Sequence, residues 1–330
     1  MALTLEPDCT LADYRKRYAC IGLTTLLQDA TYGLAMARAQ ALSARWLVIR
    51  DGNDELGIVQ VMEKSALGGA IGVLMMDRGP LWLPDSGSDV RMGEFFRAFA
   101  RLWPRRLGRR RRVIPEWPRS AENGRLLTLA GYRAIDADAT GLPREAYETY
   151  LLGLDADPAV QRARLLPRWR AGLLRAERHE AEGRLRFDWP RPATVIADLV
   201  QRHVAHREQA GFRGMESAQL NRLLVDYAKV GSLLVGLAYD DAAGPAAGPC
   251  SALALLCHGR TATYQLAWND SCGRALGANN ALLWAGMGKL RAGGVCHLDL
   301  GGHSSLYTPG LQRYKAGMCG CALQLIGMYK

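Results

Sequence analysis

Residues 295–302 read VCHLDLGG, and residues 309–317, PGLQRYKAG, follow shortly after them. The first stretch predicts a strand that ends in a carboxylate, Asp299, and a glycine pair. Such an ending provides backbone N–H groups and permissive dihedral angles at the carboxyl end of a strand, where open α/β sheets bind ligands. The second stretch predicts a short helical turn that brings Lys315 back toward the same place. Together the two stretches predict a ligand site at the end of a strand.

The elements around this pair of stretches predict an acyltransferase core. We expect antiparallel strands at residues 232–239, 251–258 and 261–268, a loop at 269–279, a helix at 281–292, a strand at 295–300 and a closing strand at 322–328. This βββαβαβ order is that of the GNAT acyltransferase fold. A similar order of elements occurs in the first half of the chain, which indicates an internal duplication.

The length of 330 residues also favours two domains, because single hydrophobic cores rarely grow beyond roughly 250 to 300 residues. We therefore predict an α/β (α+β) protein of two tandem GNAT-like units, with mixed, mainly antiparallel sheets flanked by helices. The first unit is predicted at residues 1–154 and the second at 155–330. In the alternative arrangement, the last strand completes the first unit.

Several short motifs follow one another along most of the chain. They are LQDATY at 27–32, MDRGPL at 76–81, PRWR at 167–170, LLRAER at 173–178, DLGG at 299–302 and RYK at 313–315. This series resembles the FemABX-like aminoacyltransferases, which have Phe-Gln-x-x-x-Trp, Arg-Gly-Pro, Lys-Trp-Arg, Asp-x-Gly-Gly and Phe-Lys in corresponding places. The chain departs from that family at LGAN, residues 276–279, where the family often has Gly-Pro-Asn, and it lacks the coiled-coil arm of some members.

The resemblance implies an activity and a set of catalytic residues. Members transfer an amino acid from aminoacyl-tRNA to an amine, which here would belong to a peptidoglycan precursor, a small molecule or a peptide, and an amide forms. The lysine of the Phe-Lys motif implies that Lys315 faces the oxyanion, with Tyr314 shaping the pocket and Tyr264 resembling a pocket tyrosine. Asp299 would position an amine or accept N–H bonds from the adjacent loop. Aminoacyl-tRNA is a co-substrate, so no cofactor is expected.

Residues 274–279, RALGAN, partly match the loop with which GNAT proteins bind the coenzyme A pyrophosphate at a helix N-terminus. We therefore predict donor or phosphate binding by Arg274, Gly277, Asn279, Gly301 and Gly302. The phosphate could come from coenzyme A or from the CCA end of a tRNA. A coenzyme A-dependent N-acyltransferase is therefore the first alternative function.

The formal net charge of +10 indicates a polyanionic partner. Arginines form two groups, and the guanidinium fork suits phosphate. For tRNA binding we predict a set from the first group: Arg105, Arg106, Arg109, Arg110, Arg111 and Arg112. The second group lies at residues 162–178. A solvated basic face is the alternative for both groups, and a non-catalytic RNA-binding protein is the second alternative function.

Four residues that follow family-like stretches or suit anionic groups are predicted to bind the acceptor: Tyr32, Arg38, Arg78 and Arg207. His203 and His206 lie three residues apart without the arrangement of a zinc site, so no metal is predicted. No stretch reaches the ~20 apolar residues that span a bilayer, and the amino terminus lacks the pattern of a signal peptide. A cytoplasmic protein with reduced cysteines is expected.

Overall fold

The computed structural model of the chain describes residues 3–7, 9–66, 68, 71–211, 214–244, 247–303 and 308–330. It divides into two compact units. Unit 1 comprises Met1–Glu148 and Leu323–Lys330, and unit 2 comprises Thr149–Ala322. The boundary predicted from the sequence, 154/155, lies a few residues further along the chain.

Unit 1 begins with short elements that the sequence did not predict. Its elements are β1 (Thr4–Glu6), α1 (Leu11–Ala19), a 3₁₀ turn (Leu26–Gln28), α2 (Ala30–Gln40), β2 (Ser43–Asp51), β3 (Asp54–Ala66), β4 (Ile71–Gly79), β5 (Leu81–Trp82), α3 (Asp89–Leu102), β6 (Arg109–Pro115) and α4 (Ala121–Leu129). The sheet order is β1-β2-β3-β4-β6, and β5 pairs with β3. β4 and β6 are parallel, whereas the other pairs are antiparallel.

The core of unit 1 is aromatic. Helix α3 begins after Ser88, whose side chain accepts a hydrogen bond from the backbone of the first turn. Phe95, Phe96 and Phe99 lie on its inner face and are fully buried. The ring of Phe96 stacks on that of Trp117 at 6.1 Å between centroids. Burial of these large rings supplies a major part of the stabilisation of unit 1.

A glutamine in the first family-like stretch is structural. Gln28 is fully buried, and its side-chain amide donates to the backbone carbonyl groups of Gln60 and Asp77 at 3.1 and 2.8 Å. Its Oε1 accepts the backbone N–H of Gln60 at 2.7 Å. The amide therefore links β3 and β4 where a direct ladder bond is missing. A buried amide with its hydrogen bonds satisfied is stabilising, whereas an apolar replacement would leave backbone groups unpaired.

Unit 2 contains β7 (Glu148–Gly153), α5 (Pro158–Arg164), α6 (Pro167–Ala181), β8 (Leu185–Asp188), α7 (Ile196–Ala210), α8 (Ser217–Lys229), β9 (Leu233–Asp240), β10 (Ser251–His258), β11 (Thr261–Asn269), α9 (Ser271–Leu276), α10 (Ala278–Ala292), β12 (His297–Asp299), α11 (Pro309–Ala316) and β13 (Cys321–Gln324). The sheet order is β13-β7-β12-β11-β10-β9-β8. The pair β11–β12 is parallel, and β8 to β11 are antiparallel neighbours.

Proline at the first position of α6 separates it from α5, because a proline inside a helix removes a backbone hydrogen bond and clashes with the preceding turn. The predicted loop at 269–279 is wrong, because most of it forms helix α9. The side chain of Asp270 caps this helix by accepting from the backbone N–H of Gly273 at 2.7 Å.

The carboxyl-terminal segment Leu323–Lys330 packs into unit 1. Ile326 and Tyr329 are buried in its aromatic core. Backbone hydrogen bonds connect Tyr329 with Val113 in both directions, at 2.8 and 2.9 Å. The last residues of the chain therefore belong to the core of unit 1, although they follow unit 2 in sequence.

Tyr329 provides a test of this packing. Tyr329→Ala should destabilise unit 1 by about 3 to 5 kcal/mol, the usual cost of deleting a buried ring. Its hydroxyl is buried without a hydrogen-bond partner among the described residues, so Tyr329→Phe should leave stability unchanged or slightly higher. Urea denaturation of both variants measures the difference. Equal losses for the two variants would mean that the hydroxyl, not the ring, stabilises this segment.

Candidate active site

The candidate site of unit 2 is built where β11 and β12 stop pairing. Their ladder ends with Thr263 opposite Asp299. Gly301 follows with φ of +73°, a region that favours glycine. A Cβ at this position would lie 2.8 Å from the backbone O of Tyr264. The glycine is therefore required both by its dihedral angle and by the close approach of β11.

Asp299 is buried and holds the loop that follows it. Its Oδ1 accepts the hydroxyl of Thr149 at 2.6 Å and the backbone N–H of Gly301 at 2.8 Å. The Thr149 hydroxyl also lies 3.0 Å from the carbonyl O of Gly301. Of the two roles considered for Asp299, the structure shows the contacts of the second, acceptance of loop N–H bonds. Thr149 was missed by the sequence analysis, because a single threonine on a strand carries no motif.

Lys315 on α11 points its ammonium group at this loop. It is only 3% exposed, and Nζ donates to the carbonyl O of Gly301 at 2.7 Å and of Gly302 at 2.9 Å. Burial lowers the pKa of Lys315 to about 8, and the negative charge of Asp299 partly opposes this shift. An ammonium has three N–H donors, and the two carbonyl groups account for two of them. For the third donor, the described residues show no hydrogen-bond acceptor.

Two tyrosines share one amide next to Lys315. The hydroxyl groups of Tyr264 and Tyr314 each lie 2.9 Å from Oδ1 of Asn279, to which both can donate. Burial raises the pKa of both tyrosines, so both hydroxyl groups stay protonated at neutral pH. The structure therefore brings together the four predicted catalytic residues in unit 2. It also places Asn279 among them as their hydrogen-bond acceptor.

Aromatic packing fixes the position of α11. The ring centroid of Trp169 on α6 lies 6.0 Å from that of Tyr314 and 6.5 Å from that of Trp284. A Cβ at Gly317 would lie 2.9 Å from Cδ1 of Trp169, so glycine permits this contact. Helix α6, which carries Trp169, therefore packs against helix α11, which carries Lys315.

The loop predicted to bind phosphate is covered by helix α6. Gly277, Ala278 and Asn279 are buried, and a Cβ at Gly277 would lie 2.3 Å from the carbonyl O of Gly172. The guanidinium of Arg274 donates to the carbonyl O of Asn269 at 2.6 Å. Phosphate binding by this loop stays a prediction, and the burial of its backbone counts against it.

The four predicted acceptor residues have different surroundings. Arg78 is buried, forms an ion pair with Glu116 and lies 4.3 Å from the centroid of the Tyr147 ring. This arrangement gives Arg78 a structural role in unit 1. Arg207 donates to the carbonyl O of Met215. Burial raises the pKa of Tyr32, and Arg38 is exposed. Acceptor binding by these residues stays a prediction.

The six arginines predicted to bind tRNA do not form one exposed face. The strand β6 begins at Arg109, so successive side chains of the arginine run point to opposite sides of the sheet. Arg111 is buried with its guanidinium 4.7 Å from the centroid of the Tyr132 ring, and Arg112 forms an ion pair with Asp77 at 2.8 Å. The burial of Arg111 counts against tRNA binding by this residue, whereas tRNA binding by Arg112, whose side chain is 35% exposed, stays a prediction. Arg105, Arg106 and Arg110 are exposed.

Comparisons with known proteins agree with this architecture. The family model described as "Acetyltransferase (GNAT) domain" matches residues 168–316. The structure of FemX is similar at 12% identity and a TM-score of 0.76, with 100% of this chain and 96% of that chain covered. The chain has a FemABX-like tandem GNAT fold. This fold confirms the predicted fold class, and its second unit carries a GNAT-type acyltransferase domain.

Two further structures have the same fold at lower similarity. A tandem GNAT protein from the clavulanic acid biosynthesis pathway, solved without AcCoA, is 12% identical with a TM-score of 0.51, covering 99% of this chain and 97% of that one. L-PGS from Bacillus licheniformis is also 12% identical with a TM-score of 0.51, covering 98% and 92%. No curated protein sequence matches the chain.

In the described part of the chain, no helix combines the length and the apolar character that crossing a membrane requires. The same residues contain no group of three or more His, Cys, Asp or Glu side chains arranged to hold a metal ion.

The shifted pKa of Lys315 predicts a specific pH dependence of stability. Below about pH 8 the ammonium is charged in the folded and in the unfolded chain, and folding bears the cost of burying it. Between pH 8 and 10.5 the unfolded chain binds the extra proton, so stability should rise with pH, by an amount on the order of 3 kcal/mol. Lys315→Met should lack this rise. Denaturant titrations of both proteins at several pH values measure it, and parallel curves would contradict a buried ammonium.

Proposed function

We propose that the protein is an aminoacyltransferase that transfers an amino acid from aminoacyl-tRNA to an amine acceptor and forms an amide. The observation that carries this proposal is the buried ammonium of Lys315, held between the carbonyl groups of Gly301 and Gly302 at the end of β12. A fixed cation in a site of low polarity is suited to a negative charge that develops during a reaction. The FemX-like fold supports the same class of reaction.

The chemistry needs positioning and charge more than a nucleophile. The acceptor nitrogen forms a bond to the ester carbonyl carbon, and the bond from that carbon to the ribose oxygen of the tRNA breaks. The amine loses a proton, and the leaving ribose oxygen gains one. In this proposal the third N–H of Lys315 donates to the oxyanion of the tetrahedral intermediate.

The tyrosine pair supports this geometry. Tyr314 is adjacent to Lys315 in sequence, and its hydroxyl is tied to Asn279, as is that of Tyr264. Because both hydroxyl groups are protonated and share one acceptor, they hold α11 against β11 and α10. The ammonium group thereby keeps its place even when no substrate is bound.

The second candidate is a coenzyme A-dependent N-acyltransferase of the same fold. It is favoured by the acetyltransferase family model and by the tandem GNAT neighbour, whose description refers to AcCoA. Against it stands the burial of the GNAT phosphate loop beneath α6. An activated ester on RNA does not require that loop, so the geometry favours the tRNA donor.

The donor is tested by following amide formation. The protein is incubated with labelled aminoacyl-tRNAs and a panel of amines, with and without ribonuclease pretreatment, and in parallel with acyl-coenzyme A. We expect product only with charged tRNA, and none after ribonuclease treatment, because the ester on the RNA is the proposed source of the acyl group. Full turnover with acyl-coenzyme A and no RNA would establish the second candidate instead.

The role of Lys315 is tested by Lys315→Met, which keeps the stem and removes the charge. We expect the rate to fall by about 100-fold to 1000-fold, as for the loss of one oxyanion donor. Lys229→Met is a matched control, since the side chain of Lys229 is 67% exposed, and it should retain the parental rate. Tyr314→Phe removes only the hydroxyl and should cause a smaller loss. Parental activity of folded Lys315→Met would exclude Lys315 as the electrostatic catalyst.

A further inference from the structure

The second arginine group has a different environment from the first. On α6, Arg168 and Arg175 are exposed and lie two turns apart on one face, about 10 Å along the helix axis. Neither forms an ion pair within the described residues. Arg175 instead reaches the carbonyl O of Arg274 at 3.4 Å, which places the exposed Arg274 of α9 beside the same face. Three cations therefore follow one side of α6 without a neutralising carboxylate.

A fourth arginine extends this surface to the candidate active site. Arg313 on α11 is exposed and has no ion pair in the described part of the chain. The residue after it, Tyr314, packs against Trp169, which in turn follows Arg168. The backbone N–H of Leu166 also donates to the carbonyl O of Gly317 at 2.9 Å. The start of α6 and the end of α11 are therefore joined, and Arg168 and Arg313 adjoin in sequence the two residues of this aromatic contact, Trp169 and Tyr314.

The electrostatics of α6 reinforce this surface. The first turn of α6 contains no acidic residue, although a helix N-terminus favours negative charge, and it carries Arg168 and Arg170 instead. Cations at this end are unfavourable for the isolated helix. Their field adds to that of the helix dipole, and together they attract an anion.

We propose that Arg168, Arg175, Arg274 and Arg313, the α6–α11 arginine surface, bind the sugar-phosphate backbone of an RNA whose 3′ end enters the candidate active site. This inference rests on the proposed function. Guanidinium groups form paired hydrogen bonds with phosphate oxygens, and several of them along a helix match a phosphate chain. An anionic membrane is the less suitable partner, because the apolar face of α6, including Trp169, Leu173 and Ala176, is buried in the core of unit 2.

The test compares two triple variants with the same change in charge. In unit 2, Arg168, Arg175 and Arg313 are changed to Gln; Arg274 is kept because its guanidinium also binds the backbone at Asn269. In unit 1, the exposed Arg15, Arg97 and Arg133, none of which is predicted to bind RNA, are changed to Gln. Binding of an uncharged tRNA to each full-length protein is measured at several salt concentrations. Thermal unfolding of each variant checks that the fold is kept.

We expect the unit 2 variant to lose about 2 to 3 from the slope of log affinity against log salt, since each phosphate contact contributes about 0.7 to 0.9. The unit 1 variant should keep the parental slope, and a unit 2 variant with Lys at the three positions should recover most of the binding. Equal slopes for the two Gln variants, or no tRNA binding by the parental protein, would overturn the proposal. So would loss of binding to phosphatidylglycerol vesicles in the unit 2 variant without any loss of tRNA binding.

The readouts separate this proposal from the proposed function. The slope reports contacts with RNA and does not depend on catalysis, whereas the donor is defined by ribonuclease-sensitive product. Ribonuclease-resistant turnover together with a flattened slope would refute the proposed donor and leave the α6–α11 arginine surface as an RNA-binding surface. Ribonuclease-sensitive turnover together with an unchanged slope in the unit 2 variant would support the proposed donor and refute the α6–α11 arginine surface as its binding surface.

Discussion

The burial of the Lys315 ammonium is the constraint on which the candidate site depends. A buried charge is costly unless polar groups surround it, and here two backbone carbonyl groups and the nearby carboxylate of Asp299 do so. Gly301, which contributes one of those carbonyl groups, adopts a left-handed backbone conformation that favours glycine. The Asp299 side chain then fixes the same loop from the other side through Thr149 and the Gly301 N–H. The glycine pair thus supplies the two carbonyl groups that bind the ammonium of Lys315.

Much of this arrangement could be predicted from the sequence because its parts are close together along the chain. The strand that ends in Asp299, the glycine pair and the helix of Lys315 lie within about twenty residues, and their chemistry is visible in the residue types. The three-stranded antiparallel core was also predictable, since its strands alternate with clear turns. Contacts between residues that are far apart in sequence could not be predicted. Thr149 lies 150 residues from Asp299 in sequence, and nothing in its own neighbourhood indicates that it would meet a carboxylate.

Two other predicted sites have surroundings that their own motifs do not reveal. The arginines at 109–112 form a continuous basic run in sequence, but alternate side chains of a strand point to opposite faces of the sheet. Arg111 lies over the ring of Tyr132, and Arg112 forms an ion pair with Asp77. At Asn279 the pattern of a phosphate loop was present, yet the packing of α6 against Gly277 covers the backbone that such a loop needs. A motif specifies local geometry, and the element packed against it decides whether a ligand can reach it.

The kinds of groups in the site also bear on the type of reaction. Tyr264 and Tyr314 are held protonated by burial, Asp299 is engaged with the loop, and Lys315 presents a donor. The thiols of Cys250 and Cys257 in the same unit have raised pKa values from burial, so they are poor nucleophiles. Among the described residues the site offers donors and no activated nucleophile, which suits an acyl group that arrives already activated. An ester and a thioester both meet this requirement, and direct attack by an amine then needs only alignment and a cation for the oxyanion.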